Sequence, residues 1–140
     1  MFNRSKFAAA VTVMLAVGVP TTSLAQAPTA SKTAPCAFHA HRVTQVTPYR
    51  VQPFVGRGTV LRGASLFVPA ERGLTAEWLE QELVEHLAAM GSKSMRDCPL
   101  DMAKIRVKVE PGGAGYWVRL IAPDTTSARE VLRRAELLLG

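Results

Sequence analysis

Residues 105–122 read Ile-Arg-Val-Lys-Val-Glu-Pro-Gly-Gly-Ala-Gly-Tyr-Trp-Val-Arg-Leu-Ile-Ala, and the fold is decided here. Ile105, Val107 and Val109 alternate with Lys104, Arg106, Lys108 and Glu110, the period-2 pattern of a strand with one face in a core. Pro111, Gly112, Gly113, Ala114 and Gly115 are turn formers. Tyr116, Val118, Leu120 and Ala122 then alternate along a second strand, so the stretch predicts an antiparallel hairpin with a longer loop.

Helices flank the hairpin. On the C-terminal side Asp124 is a good N-cap, with Ala128, Val131, Leu132, Ala135, Leu138 and Leu139 on one face. Arg129, Glu130, Arg133, Arg134 and Glu136 take the other, and Glu130 stands four residues before Arg134 in the favourable orientation. On the N-terminal side Thr75 caps a helix that runs to about Met90 and stops at Gly91. Its buried stripe is Ala76, Leu79, Leu83, Leu87 and Met90, Leu74 is placed to staple onto Leu79, and Trp78 reads as core or core edge.

Further upstream, Val60, Ala64, Leu66 and Val68 alternate up to Pro69, with Gly63 a candidate bulge and Arg62 on the apolar side at its solvent end. Residues 43–57 are punctuated by Pro48 and Pro53 and support no more than an edge strand or an extended arm. The order strand, helix, strand, strand, helix predicts a small two-layer α+β domain. Two helices then cover one face of a mostly antiparallel sheet, with an optional N-terminal edge strand.

The first 25 residues have the layout of a secretory signal peptide: Arg4 and Lys6, an apolar run from Phe7 to Val19, Pro20, and small residues at Ser23 and Ala25 before the cut. That run is shorter than the ~20 apolar residues a spanning helix needs. No transmembrane segment is expected once the peptide is removed. Residues 26–42 read as a disordered leader and residues 43–140 as a single domain. Cleavage removes two of 17 basic residues and none of 11 acidic ones, leaving a formal charge of +4. This mild excess, in an exported chain, argues against nucleic acid and admits an anionic envelope component or a protein as partner. Two cysteines remain in a compartment that permits oxidation, and a Cys36–Cys98 disulfide is expected.

Arg62-Gly63-Ala64, Gly73-Leu74-Thr75-Ala76-Glu77-Trp78-Leu79, Cys98-Pro99-Leu100 and Glu130-Val131-Leu132-Arg133-Arg134-Ala135 resemble stretches of small exported bacterial proteins of unknown function. The resemblance spans roughly residues 62–138. It implies bacterial export and a shared fold, and carries no activity, cofactor or catalytic residue.

Neither a nucleophile elbow, nor an H-E-x-x-H helix, nor a phosphate-binding loop occurs, so no enzyme and no cofactor is expected. Two surfaces remain. Lys104, Arg106, Lys108, Trp117 and Arg119 fall on the strand face away from the helices, a cationic surface with an aromatic platform suited to an interaction module in the periplasm or outside the cell. The alternative is a soft-metal site of copper type: His39 and His41 near the mature N-terminus, with His86 and Met95. Cys36 or Cys98 contributes if reduced, and Met90 and Met102 lie nearby. Structural readings stand beside both, since solvated charge rows and gap-filling methionines are common. A third possibility is pairing through an open strand edge, on the strand near Thr59 or the one from Tyr116.

The intact mass of the chain isolated from its native compartment is expected to correspond to a chain starting at Gln26 and to sit two hydrogen atoms below the reduced value, with no alkylated thiol. Two alkylatable thiols and a retained copper adduct would favour the metal alternative.

Overall fold

The computed structural model describes residues 35–90 and 95–140. The signal peptide, its cleavage site, residues 26–34 of the leader and the helix stop at Gly91 lie outside the described residues.

Four strands and two helices form the α+β layout that the periodicity predicts: β1 (Gln45–Val51), β2 (Val60–Pro69), α1 (Ala76–Ala89), β3 (Arg106–Pro111), β4 (Gly115–Ile121) and α2 (Thr125–Glu136). The sheet order is β1-β2-β4-β3, antiparallel throughout. The N-terminal segment therefore is an edge strand, and the strands from Val60 and Gly115 are the central pair. α1 lies along β3 while α2 covers β2 and part of β1. Both caps form as expected: Thr75 accepts from the Trp78 N–H at 3.2 Å and Asp124 from the Ser127 N–H at 2.8 Å.

One side of the sheet supplies the core. Ala64, Leu66, Val68, Val109, Val118 and Leu120 meet Leu79 and Leu83 of α1 and Ala128, Val131 and Ala135 of α2. Leu87 and Met90 of the expected stripe are only partly buried. Trp78 is 53% exposed, which corrects its reading as core or core edge; it stands one residue before Leu79, on the flank of the helix.

Gly63 sets the geometry of the central pair. At this point β2 carries one residue more than β1, with Tyr49 opposite Gly63 and Arg50 opposite Leu61, so Arg62 is the bulged residue. Gly63 has φ of 150°, and a Cβ there would lie 1.8 Å from the Leu120 carbonyl oxygen. The inserted residue also shifts the alternation beyond it. Leu61 packs on the core and Val60 is exposed, the reverse of a straight period-2 reading.

The ordered domain begins earlier than residue 43. Cys36 and Cys98 form a disulfide with Cα atoms 5.5 Å apart, Ala37–His39 make a 3-10 turn, and Phe38 is 2% exposed. Residues 35–42 are thus packed structure, correcting their assignment to a disordered leader. A bridge closing 62 residues restricts the unfolded chain by about 4 kcal/mol. Arg134 holds the other end of that bridge, donating to the Cys98 and Asp101 carbonyls at 3.3 and 2.9 Å while bonding Glu130 at 2.7 Å. Hydrogen bonds from Arg133 and then Arg134 lower the Glu130 carboxyl to about 2.

Gly63→Ala is expected to destabilise the domain by about 3 kcal/mol or more, because the clash is with main chain on the neighbouring strand. Gly58→Ala, with open space around its Cβ, should stay within about 0.5 kcal/mol. Denaturant unfolding of the two variants side by side checks this; equal midpoints would mean that β2 and β4 do not approach as described.

Candidate functional site

The register fixes which side chains share the face turned away from the helices. Across β1, β2, β4 and β3 its three rows are Tyr49, Gly63, Ile121, Arg106; then Thr47, Ser65, Arg119, Lys108; then Gln45, Phe67, Trp117, Glu110. Arg106 and Lys108 are exposed, and Trp117 and Arg119 are half-buried. Four of the five residues expected on this face therefore lie together. Lys104 does not join their rows, since it precedes β3 and has a positive φ of 63°.

Two aromatic seats flank a central ionic cluster. Trp117 lies 5.0 Å from the Phe67 ring at a tilt of 58°, and its other neighbour is the bare main chain of Gly112, where a Cβ would come within 2.4 Å of the indole. On the opposite side the Arg119 guanidinium sits 5.4 Å above the Tyr49 ring. Glu110 binds both cations of the middle row: Arg119 through two contacts of 2.9 and 2.8 Å, and Lys108 at 2.9 Å. The hydrogen bond from Lys108, reinforced by the charge of Arg119, holds the Glu110 carboxyl below its ordinary range. With three cations against one anion the face keeps a surplus of positive charge.

Tyr49, Phe67 and Glu110 were not among the residues expected at this face. Phe67 could have been found by parity alone, because it alternates with the buried Leu66 and Val68. Tyr49 could not, since its orientation depends on the pairing of β1, which the prolines of that strand obscure.

Of the residues proposed for a soft metal, His39 lies beside His86 in one hollow and beside Met95 in another, while His41 is turned to Glu82. His41 is 9% exposed, and its Nε2 lies 2.8 Å from the Glu82 carboxylate, with its ring edge-on to Trp78 at 6.2 Å. His39 is exposed and lines two shallow hollows, one shared with Glu82, Glu85 and His86, the other with Met95 and Asp97 beside the disulfide. Burial lowers the His86 pKa against the opposing charge of Glu82, and its Nε2 is buried with no hydrogen-bond partner among the described residues. Cys36 and Cys98, being bridged, offer no thiolate. Among the described residues no three His, Cys, Asp or Glu side chains converge as a metal-holding group.

Nor are the acids of α1 a purely solvated face. Glu82 holds His41, and Glu80 accepts from the Val109 N–H of edge strand β3 at 2.7 Å. That bond, with Pro111 lacking an N–H, blunts the β3 edge against further pairing. The strands from Val60 and Gly115 lie inside the sheet, so edge pairing through either of them is ruled out. No protein-family model, curated protein or solved structure matches the chain.

Gly112→Ala, tested in a Trp78→Phe background so that Trp117 is the sole emitter, is expected to push the indole off its seat. The emission should shift to the red with a loss of about 1–3 kcal/mol, as for other overpacked sites. An unchanged spectrum would place Trp117 elsewhere.

Proposed function

We propose that this protein is a non-enzymatic, exported interaction module, working in the periplasm or outside the cell and holding a protein partner on the open face of its sheet. One observation carries the reading: the face without helices brings three aromatic side chains, Tyr49, Phe67 and Trp117, and three cations, Arg106, Lys108 and Arg119, together among smaller polar residues. Trp117, Phe67 and Tyr49 are the large, rigid contacts that dominate binding energies at interfaces, and Arg119 is held among them by both oxygens of Glu110 and by the Tyr49 ring. Arg106 and Lys108 form a cationic margin beside them.

Export is supported by the N-terminal pattern of charge, apolar run and small residues, and by the disulfide. Among the described residues no helix is long and apolar enough to cross a membrane.

A photo-crosslinking amino acid at Ser65, in the middle row beside Arg119, should give a discrete adduct in cells. The same group at Gln81 on α1 should not, and Trp117→Ala should abolish the Ser65 adduct while the fold is retained. Adducts of equal yield from Ser65 and Gln81, or a Ser65 adduct indifferent to Trp117→Ala, would remove the sheet face as the contact surface.

A further inference from the structure

The β1–β2 connection, residues 52–59, presents the two most exposed large apolar side chains of the described residues. Phe54 is 67% exposed and Val55 is 101% exposed, with Val60 at 36% just beyond. Neither lies over the core. Their position is nevertheless fixed by a tight turn in which the Arg57 N–H donates to the Phe54 carbonyl at 3.2 Å, with Gly56 at φ 82°. That positive φ at the third turn residue is the one a type II turn demands of glycine, and it puts Val55 at the apex. Gln52 closes the loop from its base, donating to the Arg57 carbonyl at 3.2 Å.

Cations surround this tip. The Arg57 guanidinium sits 5.9 Å from the Phe54 ring centre, and Arg50 lies beside the loop opposite Leu61. Arg62 is the bulged residue, and Arg106 stands at the same end of the sheet in the row of Gly63 and Ile121. Asp124, which follows β4 at that end, is engaged as the cap of α2. Every acidic residue of the chain lies at Glu71 or later, so residues 26–70 hold five Lys and Arg and no carboxylate.

We infer that the β1–β2 tip docks on an anionic lipid bilayer, with Phe54 and Val55 entering below the headgroups while Arg57, Arg50 and Arg62 meet the phosphates. The convex shape favours this occupant over a protein. A protein would need a pocket matched to Phe54 and Val55, whereas a bilayer accepts apolar side chains wherever they project and pairs them with cations at headgroup level. The loop preforms both contacts, because the guanidinium of Arg57 is already held against the ring that inserts. No span is implied; a short apolar tip with a few cations gives a reversible, peripheral association. This contact is independent of the sheet face, and its variants leave Trp117 and Arg119 in place.

The test is sedimentation with vesicles of equal phosphatidylglycerol and phosphatidylcholine, against vesicles of phosphatidylcholine alone, using the protein recovered from cells expressing the full chain with its N-terminus read by mass. Binding to the anionic vesicles only is expected. Phe54→Ser with Val55→Ser should reduce partitioning at least tenfold, and Arg57→Gln about fivefold, both with unchanged melting temperature because these side chains stand outside the core. Absence of binding to the anionic vesicles, equal binding to both compositions, or binding that persists in the Phe54→Ser, Val55→Ser variant would each overturn the inference. Trp117→Ala should bind vesicles as the parent does, and its loss of binding would overturn the assignment to the tip.

Discussion

The main chains of β2 and β4 meet at Gly63 and Leu120 more closely than a residue with a Cβ would permit. Since these are the two central strands, both edges of the sheet hang on that approach. The bulge at Arg62 is its companion, as the extra residue turns the alternation over within β2. Beyond it Leu61 closes the core, Arg62 is left among the cations at the end of the sheet, and Val60 leads into the exposed tip. A straight strand would have set Val60 inside and Leu61 out, and the cations would be arranged differently along with it.

This explains which parts of the fold could be read in the chain itself. The β3–β4 hairpin and both helices follow local rules: strict alternation, a glycine turn, caps at Thr75 and Asp124, and apolar spacing of 3.6. β1 was readable only as a candidate, because Pro48 and Pro53 interrupt its pattern and its order comes from pairing with β2. Residues 35–42 were misread for a stronger reason. Their composition is that of a leader, and what orders them lies far off in sequence: the Cys98 bridge, and Glu82 for His41. The open face was legible through parity for Arg106, Lys108, Trp117 and Arg119. Lys104 fell out because the strand starts after it, with backbone in a conformation no ladder accepts.

Charge on this small domain is used more than it is solvated. Glu80 stops the β3 edge, Glu82 anchors the N-terminal segment, Glu110 positions Arg119 and Lys108, and Glu130 steadies the arginine that grips the Cys98 loop. Exposed ion pairs add little stability one by one. Their effect here is positional, since each fixes a segment or a side chain that packing alone leaves loose. Helical periodicity cannot reveal such a role, because it distinguishes a polar face from an apolar one and says nothing of what the polar face reaches.

The remaining charge is spread unevenly over the domain. Of the two helices only α1 is acidic, with Glu77, Glu80, Glu82 and Glu85 and no Lys or Arg, while α2 carries three Arg against two Glu; Arg50, Arg57, Arg62 and Arg106 stand at the end of the sheet that bears the tip. A formal excess of a few charges is unremarkable when spread evenly, but concentrated on one side of a small domain it acts as a dipole. An acidic protein surface and an anionic bilayer would both draw the domain in sheet first, with the acidic α1 turned outward. At physiological ionic strength that pull fades beyond about 8 Å, so it sets orientation only in the last step before contact. What holds after contact must then be short-ranged and apolar. The side chains able to supply it, the half-buried Trp117 with Phe67 on the face and the exposed Phe54 with Val55 at the tip, lie on that side of the domain.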